Sequence, residues 1–175
     1  MNQISIEPCN HYVEIFYALI GLICYLSYKA FEDPVLRSKL IFNAYLVKTK
    51  GENLRFLSSG FIHGDWMHLI FNMIALYSFG LNLLYFLTFT HCSLGIVYLI
   101  LIFLIGVIVS EIPSYFKHQD NIGYNSLGAS GGVSSIIFAN ILVDPLNTGI
   151  RIMFLPLPIP SFILGLGYLA YSQYA

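Results

Sequence analysis

The segment from Leu127 to Ser135, LGASGGVSS, sets one serine among small residues at the start of an apolar, uncharged stretch. A hydroxyl in such a setting is expensive to bury unless something uses or satisfies it. The glycines flanking Ser130 have two readings. Gly128 and Gly132, four apart, allow close helix approach, an ordinary packing device. A serine at a helix start also lies beside backbone N–H groups that lack helical acceptors, which suits a negative charge.

Far upstream, His68 and Asn72 are also four apart, so on a helix they stack on one face. Both donate hydrogen bonds, and two donors aimed at one spot can stabilise a developing oxyanion. The bland alternative is that they bond to each other or glue neighbouring helices together. His63 lies five residues before His68; on a continuous helix it falls about 140° away, on a different face. The spacing in HGDWMH does not match the HExxH pattern of a zinc hydrolase. No metal and no cofactor are expected.

These groups must be positioned by a chain that is 57% hydrophobic and only 10% charged, with a mean hydropathy of +0.74. Soluble domains carry about 25% charged residues, so the composition specifies a polytopic membrane protein with the lipid bilayer as partner. The formal net charge of −1 leaves no basic face for nucleic acid. Cys9, Cys24 and Cys92 form no motif and read as free thiols. With Glu7 and no Lys or Arg ahead of the first apolar run, no cleavable signal is expected.

A helical span needs about 20 apolar residues. Five stretches come near this, at Tyr12 to Tyr28, Trp66 to Leu87, Ser93 to Ser110, Ala129 to Val143 and Ile159 to Ala175. The last follows LPLPIP, whose prolines delay the helix until about Ser161. Connections after the second and fourth stretches read as short. The one from Ala30 to His63 is long and mixed, with Leu36, Leu40 and Ile41 suggesting an amphipathic turn or two lying in the interface. An ordinary loop with a small core is the alternative. Six of the eight basic residues fall between positions 29 and 55, which by charge alone would make this loop cytoplasmic.

RFLSSGFIHGDWMHLIFNMIALYSFG, Arg55 to Gly80, together with GASGG at 128 to 132, resembles the rhomboid intramembrane serine proteases. The C-terminal FLPLPIPSFILGLGYLAYSQYA is similar to the fifth span of bacterial members. The resemblance implies an all-α, polytopic helical bundle forming a single domain of about five transmembrane helices plus an interfacial loop. It implies Ser130 as nucleophile, with His68, Asn72 and the Ser130 amide as oxyanion hole. His63, Gly128 and Gly131 would support the site, and Arg55 would anchor a loop in the outer leaflet, against the charge count. Substrates would be transmembrane segments of membrane proteins, cleaved in the bacterial inner membrane.

Rhomboids take their general base from a histidine in a sixth span, and nothing here matches that segment. The last histidine is His118, in SYFKHQDN, which reads as a solvated connection. The 175 residues therefore read as a truncated or crippled endopeptidase, with the Gly128/Gly132 face unpacked for want of a neighbour. A rhomboid-like binder that captures transmembrane segments without cutting them is the alternative. A small transporter subunit with His68 and Asn72 lining a polar path is a weaker one.

Overall fold

The computed structural model describes residues 11–146, 151–152, 155–156 and 160–172. Glu7 and Cys9, positions 157–159 of the proline run and the last three residues lie outside this set. Eight α-helices are described: α1 (His11–Glu32), α2 (Pro34–Leu40), α3 (Ala44–Lys50), α4 (Arg55–Ser58), α5 (Trp66–His91), α6 (Leu94–His118), α7 (Ser130–Val143) and α8 (Ser161–Ser172). The other regular elements are a 3-10 turn at Ser59–Phe61 and a two-residue antiparallel pair, Arg151–Ile152 with Leu155–Pro156.

The all-α bundle expected from the sequence is present. Of the five expected spans, α1, α5 and α6 are long and apolar enough to cross a bilayer. The other two are shorter, with 14 helical residues in α7 and 12 in α8. At 1.5 Å per residue, 14 residues rise only about 21 Å, less than the hydrocarbon core. α7 lies inside the bundle, packed against both α5 and α6, while α8 rests on α7 and α1 on α5. Phe16, Leu76, Leu83, Leu99, Phe103, Ile136 and Ile137 are fully buried between these helices. The outward faces are apolar too, including Leu101, Ile105 and Val109 on α6. A water-facing helix would carry polar groups there, so these faces meet lipid.

Two expectations need correction. The helix of the third expected span, α6, does not stop at Ser110 but runs to His118, through Pro113. An apolar run marks the lipid-crossing part of a helix, not the helix's end; hydrogen bonding continues wherever neighbours support it. His118 is therefore helical, and its ring stacks on Tyr124 with centroids 3.6 Å apart. The connection after the fourth span is not short, since residues 144–160 separate α7 from α8 and include the antiparallel pair.

The long loop folds into α2, α3, α4 and the 3-10 turn, more helix than the turn or two expected. Asp33 caps α2 by accepting from the Val35 and Leu36 amides, with Pro34 at the first helical position. Asn43 caps α3, which ends at Gly51 with φ 69°, a left-handed conformation suited to glycine. The segment also has its small core, with Phe42, Ala44 and Val47 packed against Phe56 and Tyr115.

Candidate active site

Asp65 begins the construction. Its carboxylate accepts from the His68 amide at 2.9 Å, starting α5 one residue later at Trp66. His63 is thus in the loop ahead of the helix, not on a continuation of it. The expected angular separation of His63 and His68 does not apply, because the cap ends the helical path between them. Their rings meet edge to face, centroids 5.0 Å apart at 84°.

His63 is fully buried and uses both ring nitrogens. Nε2 accepts from the Ala129 amide at 3.3 Å, and Nδ1 lies 2.9 Å from Ser27 Oγ. An Nε2 that accepts requires the proton on Nδ1, so Nδ1–H donates to Ser27, whose hydroxyl passes on to the Phe61 carbonyl at 3.3 Å. Burial, reinforced by the neighbouring His68, lowers the His63 pKa to about 3, so the ring is neutral. This chain of bonds ties α1 to the residue directly before Ser130.

The turn entering α7 is held from other sides as well. The Gly128 amide donates to the Ser59 carbonyl at 2.9 Å. Phe42 and Ser126 exchange backbone hydrogen bonds of 3.0 and 3.1 Å. Asn43 Nδ2 reaches the carbonyls of Ile122 and Tyr124 and Asn125 Oδ1. Arg55, also buried, donates from Nη1 to the Ser38 and Ile41 carbonyls at the end of α2 and from Nε to Glu52. It fastens the loop segment to itself, and that segment reaches the serine turn through the Ser59–Gly128 bond, the Phe42–Ser126 pair and Asn43.

Gly128 explains how Ser130 and His68 come together. Its φ of +128° disfavours any side chain, and a Cβ would lie 2.7 Å from His68 Cε1 and 2.8 Å from Nε2. The imidazole occupies the space a side chain would need. Ser130, two residues on, has its Cα at most about 7 Å from that of Gly128. It is the first residue of α7, half-buried, and the amides of Ser130, Gly131 and Gly132 have no acceptor within the helix.

Asn72 lies one turn below His68, buried, and its Nδ2 donates to the His68 carbonyl at 2.9 Å. Its Oδ1 accepts from the Tyr168 hydroxyl of α8 at 2.7 Å. That leaves the amide's second N–H to face other partners.

The glycines of α7 are not unpacked. A Cβ on Gly132 would meet the Phe103 ring of α6 at 2.6 Å, and one on Gly131 would collide with Ser110 Oγ. Gly106 of α6 faces Ser135 and the Gly131 carbonyl in the same way. Gly128 meets His68 and Gly132 meets α6, so the neighbours expected to be missing are supplied from within the chain.

Sequence reasoning missed Ser27, Asn43 and Tyr168. Ser27 carried a usable signal, a hydroxyl inside an apolar run, and Asn43 stands directly before a helix where a cap belongs. Nothing about Tyr168 separates it from the twelve other tyrosines.

A bundle of apolar helices with a serine turn wedged against a His/Asn helix defines an integral membrane protein with a buried polar site. The rhomboid domain family model matches residues 50–174, and the chain belongs to the rhomboid family. No curated protein matches the chain.

Proposed function

We propose that the chain has the architecture of an intramembrane serine endopeptidase acting on transmembrane segments of membrane proteins, in the bacterial inner membrane. The observation that carries this is the seating of the His68 ring in the space beside Gly128, while His63 bonds the amide next to Ser130. In this reading Ser130 Oγ attacks a substrate carbonyl. The resulting oxyanion is met by His68, the free N–H of Asn72 and the Ser130 amide, each such donor being worth about 10²–10³ in rate. His63, Gly128, Gly131 and Arg55 support the geometry without touching substrate.

A hydroxyl attacks only when a base takes its proton. All five histidines precede Ser130 in the 175 residues, and His63 has both nitrogens engaged. A second reading, favoured by the engagement of both His63 ring nitrogens, is capture of transmembrane segments without cleavage. The two separate cleanly in proteoliposomes with a fluorogenic transmembrane substrate. The 175-residue protein is expected to bind the substrate with turnover some 10⁴-fold or more below an intact serine protease. Fusing a histidine-bearing sixth span of the family to its C-terminus should restore cleavage, and Ser130→Ala should abolish it. A fusion that folds and binds yet never cleaves would leave only the binding role.

A further inference from the structure

A second polar group lies deep between α5 and α7, away from the Ser130 turn. Asn82 Nδ2 of α5 donates to Asn140 Oδ1 of α7 at 2.7 Å. Asn82 is ten residues beyond Asn72 and Asn140 ten beyond Ser130, so each lies about 15 Å further along its helix. The two helices run parallel from their meeting at Gly128 and His68, and the asparagines meet at matched depth. Slippage of α7 by one residue would break that bond and also move Ser130 away from His68.

The pairing is incomplete. Asn140 is 1% exposed and its Nδ2 has no hydrogen-bond partner; Ser78 is 7% exposed and its Oγ has none either. Ser78 precedes Asn82 by one helical turn and stands on the same face of α5. An orphan amide in an apolar bundle is too unfavourable to persist, and so is an orphan hydroxyl. One molecule resolves both. A water bonded to two groups spans up to about 5.5 Å, close to the rise of one helical turn, and buried waters typically make about three such bonds.

We propose that Ser78, Asn82 and Asn140 enclose an internal water, which completes a polar cross-link setting the axial register of α5 against α7. The water accepts from Asn140 Nδ2 and shares a hydrogen bond with Ser78 Oγ. Asn140 and Ser78 are both buried, so the water would be held between the helices.

NMR of the full chain in micelles tests this directly. Ala139–Asn140 is the chain's only Ala–Asn pair, so carbonyl-labelled alanine with nitrogen-labelled asparagine identifies the Asn140 backbone amide without mutation, and its side-chain amide is assigned from cross-peaks to that backbone amide. The Asn140 side-chain amide is expected to show a cross-peak to water, lost in Ser78→Ala and retained in Ser78→Thr. An Asn140 amide with no water cross-peak in the native protein would overturn the proposal. So would a cross-peak that Ser78→Ala leaves unchanged. Should Ser78→Ala fail to fold, the native spectrum alone still decides.

Discussion

The two flanks of α7 are built on opposite plans. Against α6, backbone approaches backbone at Gly106, Gly131 and Gly132, with the serines at 110 and 135 filling what space remains. Against α8, a side chain on Gly165 would first strike methyl groups of Ile137 and Ile141, and the one described hydrogen bond from α8 to the site region is Tyr168 to Asn72. The first flank admits no added atom, since what it would strike is close to main chain. The second is lined by side-chain tips that can shift. The helix that presents Ser130 is thus fixed from one side and leaned upon from the other.

The harshest way to break this comparison is Gly106→Val. A side chain there meets Ser135 and the Gly131 carbonyl, and overpacking of this kind is expected to destabilise by about 3 kcal/mol. The midpoint of unfolding in mixed SDS micelles measures it, and native stability in the variant would show that close approach to α6 does not hold α7.

At the end of α7 where the flanks meet, His63 makes stability depend on pH. The folded ring stays neutral down to about 3, whereas the unfolded one takes up a proton near 6.5. Between these values the unfolded state binds more protons, so stability falls as pH falls. About 2 kcal/mol should be lost between neutral pH and pH 5. His63→Gln is expected to flatten that slope in the same unfolding assay, and an unchanged slope would mean that His63 titrates normally.

The mildest change concerns the other flank. Tyr168→Phe removes one hydrogen bond and leaves Asn72 Oδ1 without its tyrosine partner, at a cost of about 1 kcal/mol. Thermal unfolding should register this small loss, and hydrogen exchange should rise in α8 while α7 stays protected. Equal loosening of both helices would erase the distinction between the flanks.

Much of this was legible. Apolar runs located the bundle, and the two motifs picked out Ser130, His68 and Asn72 because polar groups in apolar stretches are rare enough to notice. The position of His63 was misread because a helical angle was applied across Asp65, whose capping carboxylate ends the helix. The Gly128/Gly132 close-approach reading holds at Gly132, which packs on α6, and not at Gly128, for another reason. Spacing of four predicts a shared face, but Gly128 precedes the helix, and its positive φ turns it toward α5.

The residues by themselves determined that the chain is a helical membrane bundle and which few polar groups it carries inside, because composition and hydrophobic run length act locally along the chain. Only the tertiary structure decided which groups meet: His68 against Gly128, His63 between Ser27 and Ala129, Asn72 beneath Tyr168. Those pairings join residues dozens of positions apart, and their geometry follows from how the helices cross and where the caps stop them, which no local pattern records.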